Sequence, residues 1–177
     1  MQTERLQLRS FSRADTEAVL KIFSNEKALA YWVAEPISTL EEAEALLDRE
    51  LSWADDSSCH NWAISLPGSD RLIGKITLFR IDEANRRAEI GYILDPDHWG
   101  KGYMHESLER VLDHAFNELG LHRIEADVDP ENEPSLRLLE RFGFSREGLF
   151  RERWLMRGEW YDSIMLGLLA SDHSPTR

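Results

Sequence analysis

The residues with the clearest chemical potential lie between Asp95 and Leu112, in the run DPDHWGKGYMHESLERVL. An apolar strand candidate, EIGYIL at Glu89 to Leu94, enters a loop carrying Gly100 and Gly102. A helix is then expected to open near Tyr103 and run to about Asn117. A strand feeding a glycine-bearing turn at a helix N-terminus makes an anion site. Unpaired backbone N–H groups converge there, the helix dipole adds about half a positive charge, and glycine admits the main chain closely. A diphosphate suits such a loop. The Walker pattern is absent, because Asp95 stands where its first glycine would be and Gly102 follows Lys101 in place of Ser or Thr. The glycine spacing and the mid-chain position also exclude a dinucleotide fingerprint.

Other residues could act beside that loop. Asn132 and Ser135 open a helix as N-x-x-S, and both are good capping types, so a capping role and a ligand role are both open. Glu89 shares a strand face with Gly91 and Ile93. A charge in a central strand is either a base acting through water or half of a salt bridge. Asp162, in an otherwise apolar closing strand, is a second base candidate or a hydrogen-bonding brace for its hairpin. Tyr31 and Trp32, between the first two helices, can contact an acceptor or staple those helices to the sheet. Cys59 is the only cysteine, which excludes an internal disulfide, and in the polar run DDSSCHN it reads as a bystander thiol. Histidines 60, 98, 105, 114 and 122 show no ligand spacing, so no metal is assigned.

The elements that must position these groups follow from patterning. Leu6 and Leu8 alternate with polar neighbours in a first strand at about residues 4–10. Ser12 can cap a helix whose Ala14, Ala18, Val19, Ile22 and Phe23 share a face. Thr39 with Glu42 forms a capping box for a second helix reaching about Ala54. Strands follow at about 62–66, 71–80 and 88–94, then the glycine-loop helix. A strand at 123–128 precedes a helix from Pro134 with Gly143 as its C-cap, and strands at 146–157 and 160–169 close the chain. This order predicts a mixed α/β sheet with helices on its faces. One domain over residues 1–170 and a flexible tail over 171–177 are expected.

The chain has 177 residues and a formal net charge of −12, which argues against non-specific binding to nucleic acid or an anionic membrane and is compatible with a cationic substrate. No apolar run approaches a membrane span and the N-terminus is no signal peptide, so a cytoplasmic location is expected.

The segment EIGYILDPDHWGKGYMHESL resembles the coenzyme-A pyrophosphate loop of the GNAT superfamily of N-acetyltransferases, within the RimJ/RimL-like branch of ribosomal-protein N-terminal acetyltransferases. Three other blocks resemble that branch in order: ERLQLRSFSRADTEAVLKIFSN, HRIEADVDPENEPSLRLLERFGFSREG and RGEWYDSIMLGLL. The resemblance implies a mostly antiparallel sheet with helices on both faces and a splayed pair of central parallel strands. It implies acetyl-coenzyme A as donor, its pyrophosphate held by main-chain N–H groups of Gly100, Lys101, Gly102, Tyr103 and Met104. Main-chain groups near Ile93 and Leu94 would meet the pantetheine arm and polarise the thioester. Asn132 would bond pantetheine, and Ser135 would protonate the leaving thiolate, because Leu139 occupies the place of the tyrosine many members use. Trp99 and Met104 depart from the superfamily pattern, and Met104 is expected to narrow the cofactor's approach.

The implied reaction is direct acetyl transfer to a primary amine, with Glu89 as the water-relayed base and Tyr31 and Trp32 on the acceptor side. A protein N-terminal α-amine is favoured chemically. With a pKa near 7.8 it is about 14% neutral at pH 7, against about 0.04% for lysine, so a weak base suffices. A small-molecule amine (a drug, polyamine or amino-acid conjugate), a non-catalytic acyl-coenzyme-A-binding module and a phosphate-binding protein of another fold are the competing readings. The expected partner is the amine acceptor, and a homodimer is compatible with the pattern.

Overall fold

The computed structural model describes residues 1–53 and 56–173. Seven strands are β1 (Gln7–Arg9), β2 (His60–Ser65), β3 (Leu72–Asp82), β4 (Arg87–Leu94), β5 (Arg123–Val128), β6 (Ser145–Met156) and β7 (Glu159–Leu169). They form one sheet in the order β1-β2-β3-β4-β5-β7-β6. Every neighbouring pair is antiparallel except β4 and β5. Four helices are α1 (Thr16–Phe23), α2 (Leu40–Ser52), α3 (Tyr103–Asp113) and α4 (Glu133–Arg141).

Strand alternation divides the apolar residues between two cores, as a sheet covered on both faces requires. Ala88, Ile90 and Leu94 of β4, with Ile124, Ala126 and Val128 of β5, pack against Leu108, Val111 and Leu112 of α3 and Leu136 and Leu139 of α4. Ile93 points the other way, into a smaller core with Val19, Ile22 and Phe23 of α1 and Ala43 and Leu47 of α2. Glu89 and Gly91 share that second face by the same alternation.

Local signals place most boundaries. The Thr39 hydroxyl accepts from the Glu42 N–H at 3.2 Å while the Glu42 carboxylate accepts from the Thr39 N–H at 3.1 Å, the expected reciprocal cap. α2 ends at Ser52, and the expected boundary at Ala54 falls outside the described residues. α3 stops at Asp113 but the chain stays coiled through a π turn at His114–Glu118, close to the expected end. β1 is shorter than its pattern suggested because Met1 to Leu6 fold back, with the Leu8 N–H donating to the Met1 carbonyl at 2.9 Å. The part of the expected tail at 174–177 also lies outside the described residues.

One buried ion pair fastens α2 to the sheet. The Lys75 ammonium of β3 meets the Glu50 carboxylate of α2 at 2.5 Å, with both side chains almost fully enclosed. Asn61 donates to the other Glu50 oxygen at 3.0 Å, and the ammonium lies 5.2 Å from the centre of the Trp53 ring. Removing one member strands the other charge, whereas an apolar pair of similar volume removes both penalties. Glu50→Ala should therefore lower unfolding free energy by about 3–5 kcal/mol in urea titration, and joint Glu50→Leu/Lys75→Met replacement should restore most of it.

Candidate functional site

The site begins where β4 and β5 part. Their ladder has three rungs, Arg87 with Arg123, Ala88 with Ile124 and Glu89 with Glu125. Beyond it β4 stays paired to β3 as far as Leu94, and β5 to β7 as far as Val128, so the two central strands diverge while each keeps its outer neighbour. The Asp95 N–H donates to the Ile73 carbonyl at 2.8 Å, which sets the alternation of main-chain groups along β4. Residues 89, 91 and 93 bond toward β3, and residues 90, 92 and 94 point across the opening. The expectation for Ile93 is corrected accordingly: its main-chain groups belong to the ladder with Lys75, and Tyr92 presents the groups that face the gap. The Leu94 carbonyl faces it too but accepts from the Trp99 indole N–H at 2.8 Å.

That indole bond ties the strand end to the glycine loop, which accounts for a tryptophan at position 99. Gly100 and Gly102 adopt φ of +72° and +79°, a region costly for any side-chain-bearing residue, and Gly102 is the N-cap of α3. The N–H groups of Gly100, Lys101, Gly102, Tyr103 and Met104 have no acceptor among the described residues, the ordinary state of a turn entering a helix, which leaves them available to an anion. Met104 packs against the α3/α4 core, so its side chain occupies the interior side of the helix.

The loop is held from two further directions. Lys21 of α1 bonds Asp95 at 2.6 Å and Asp97 at 2.5 Å, and those hydrogen bonds raise the lysine's pKa. Arg5, a residue the patterning did not single out, donates to the Lys101 carbonyl at 2.9 Å and to Glu106 at 2.7 Å, and lies 5.1 Å from the centre of the Tyr103 ring. Glu106 also accepts from Thr3 and from the Arg5 N–H, so the N-terminal segment clamps the first turn of α3. These hydrogen bonds and the arginine charge lower the Glu106 pKa against the opposing effect of burial, the largest single influence on that carboxylate.

Across the opening, Asn132 caps α4 by accepting from the Ser135 N–H at 3.3 Å, so its carboxamide oxygen serves the helix, and its amide nitrogen has no hydrogen-bond partner among the described residues. The Ser135 hydroxyl meets the Tyr92 hydroxyl at 2.7 Å. Leu139 is 1% exposed and belongs to the core against the sheet. Sequence patterning missed Tyr92, although its even position on β4 already placed it on the α4 side of the sheet.

The opposite face carries carboxylates, each with a cationic partner. Glu89 accepts from Arg80 at 2.8 and 3.0 Å through its two oxygens. Glu125 bonds Arg123 at 2.8 Å and lies 3.5 Å from Arg87. Asp127 of β5 accepts from Ser163, from the Trp154 indole at 3.2 Å and from Arg153 at 3.3 Å. Asp162 accepts from the Glu152 N–H at 2.8 Å, where Glu152 sits at φ +52° in a bulge of β6, so it braces the hairpin in the structure.

A cleft of about 230 Å³ opens between the α1–α2 connection and the tip of the β6–β7 hairpin, with walls that include Leu29, Trp32, Val33, Leu155 and Tyr161. Trp32 lines this cleft and also meets Phe23 edge-on, with ring centres 6.3 Å apart. Tyr31 is exposed and is not among the cleft's walls. No helix among the described residues is long and apolar enough to cross a membrane.

Comparison with known proteins agrees with this geometry. Residues 5–145 match the family model described as an acetyltransferase (GNAT) domain. The uncharacterized N-acetyltransferase p20 of Bacillus licheniformis is 33% identical over 172 residues, covering 97% of both chains. YdaF of Bacillus subtilis, provisionally named a ribosomal N-acetyltransferase, is 30% identical, with 94% of this chain and 92% of that protein covered. The crystal structure of spermidine N-acetyltransferase from Vibrio cholerae with CoA and spermine aligns with a TM-score of 0.82 at 30% identity, covering 94% of this chain and 96% of that one. A parallel strand pair that parts above a glycine loop, on a chain matched along nearly its whole length, belongs to an acetyl-coenzyme-A-dependent acyltransferase: this protein is a member of the GNAT family of N-acetyltransferases.

Proposed function

We propose that the chain transfers acetyl from acetyl-coenzyme A to the N-terminal α-amine of a protein. The observation that carries this reading is the state of the acceptor-side carboxylates. Glu89, Glu125 and Asp127 are each already paired with arginine, and the cleft walls combine apolar side chains with one acid, Glu35, and one base, Arg157. A polycation needs several uncompensated carboxylates in a row. A peptide N-terminus needs one deprotonatable amine and an apolar cleft for the side chains that follow.

The donor is held, in this reading, by the free N–H groups from Gly100 to Met104 at the pyrophosphate, by the Tyr92 main chain and the Asn132 amide along pantetheine, and by Ser135 at the sulfur. The amine enters from the Gly91 face, beside the Phe79 ring, whose Cε1 would lie 3.3 Å from a Cβ at position 91. Its proton leaves through water to a carboxylate. Glu89 serves as that carboxylate while its Arg80 partner holds it in place, and Asp127 stands opposite on β5. If either acts as base, exchange for its amide should depress activity most at low pH, where the amine is protonated, and high pH should partly rescue it. The second reading is a small polyamine, favoured by the Vibrio relative's spermine complex and by the net charge of −12.

Two measurements test these assignments. Acetyl-coenzyme A at about 100 times its dissociation constant should stabilise the parent by roughly 2.7 kcal/mol, and Gly102→Val, strained at φ +79°, should lose most of that shift while its unliganded form still folds. Equal cofactor shifts in parent and variant would remove the loop from the site. In an acceptor panel, an Ala- or Ser-starting peptide should react faster than the same peptide blocked at its N-terminus and carrying one lysine, and faster than spermidine. A leading rate with spermidine would transfer the assignment to the polyamine.

A further inference from the structure

The hydroxyl pair at the mouth of the strand opening has a direction, and that direction has a chemical consequence. Tyr92 projects from β4 and Ser135 from the first turn of α4, so the 2.7 Å bond between them links β4 to the helix that follows β5. Among the described residues neither hydroxyl has another hydrogen-bond partner. Each carries one proton. A partly buried phenol that accepted from serine would leave its own proton unbonded, which costs free energy. Serine has a second direction available, into the gap, whereas the body of the tyrosine ring packs against the α3/α4 core. The phenol is also the more acidic hydroxyl and the better donor.

We propose that Tyr92 is a positioning residue for acetyl transfer: its hydroxyl donates to Ser135 Oγ and leaves the serine's own proton free to meet the thioester sulfur. This rests on the reading of Ser135 as the group that protonates sulfur. It restores a phenol to a site whose α4 position is filled by the core residue Leu139, by bringing it from the opposite wall. Accepting the phenol's hydrogen bond makes the serine O–H a better donor in turn. Burial pushes the Tyr92 hydroxyl up to about 12, so the donor persists across the working pH range.

The bookkeeping of the step is closed. The neutral amine forms the N–C bond, the C–S bond breaks with its electron pair going to sulfur, and the Ser135 proton passes to that sulfur. The proton shed by the acylated nitrogen passes through water to the acceptor-side carboxylate and on to solvent, and solvent returns a proton to Ser135. Tyr92 keeps its proton throughout.

Tyr92→Phe, Ser135→Ala and the double variant test this, assayed with the amine that the parent acetylates fastest. Tyr92→Phe should lower kcat about 10-fold while KM for acetyl-coenzyme A and directly measured CoA affinity stay within about 2-fold of the parent. Ser135→Ala should lower kcat by 10- to 1,000-fold, on the order of common acid–base contributions. The double variant should be no slower than Ser135→Ala alone, because Tyr92 acts through the serine. Additive losses, a parental kcat in Tyr92→Phe, or a defect confined to KM would each overturn the proposal. A parental kcat in Ser135→Ala with a slow Tyr92→Phe would place the phenol on sulfur directly and remove Ser135 as acid. The choice of acceptor is decided by the amine panel and does not enter these outcomes.

Discussion

Two strands that run parallel for three rungs and then separate impose the main constraint on this protein. A buried strand edge without a partner leaves N–H and C=O groups unpaired, and such groups cost free energy wherever water is excluded. The opening persists because each strand is anchored on its far side, β4 by β3 and β5 by β7, to the end of its length. The last rung sets Glu89 beside Glu125 on one face, an arrangement that repels unless it is neutralised. Arg80, Arg87 and Arg123 neutralise it.

A main chain that must receive an anion has to be stiff before the anion arrives, because ordering it at the moment of binding subtracts from affinity. Two long-range ties and one local one provide that stiffness. Lys21 reaches from α1 to Asp95 and Asp97, Trp99 bonds the end of β4, and Arg5 joins the N-terminal segment to the loop carbonyl and to Glu106. Elements from both ends of the first hundred residues therefore converge on the turn between Asp95 and Tyr103. The glycines supply the φ values this turn requires, and the ties select that conformation from those glycine would allow.

The two faces of the opening differ chemically. The α3/α4 face presents neutral hydroxyls, Tyr92 and Ser135. The other face presents carboxylates paired with arginines. Strand alternation produces this division directly, since Tyr92 and Gly91 are adjacent in sequence and point to opposite sides. Arg80, the partner of Glu89, sits at φ +52° where the register of β3 shifts.

The sequence by itself determined the elements and the loop. Period-two and helical patterning, the Thr39 cap and the glycines at 100, 102 and 143 are local devices, and a local device acts the same way wherever its segment ends up. The strand at Arg123–Val128 and the opening of α3 at Tyr103 were legible on those grounds, and so was the face shared by Glu89, Gly91 and Ile93. The partners were decided only by the tertiary structure. Alternation could place Tyr92 on the α4 side but could not say that Ser135 waits there, 43 residues later. It could name Glu89 as a charge in need of a reason, but Arg80 as that reason depended on the β3 bulge. It could not assign main-chain direction on β4, because Ile93 and Tyr92 exchange roles with a shift of one residue and the register with β3 is a long-range fact. Arg5 gave no signal at all, since an exposed arginine beside a short strand acquires meaning only when folding carries it to the first turn of α3.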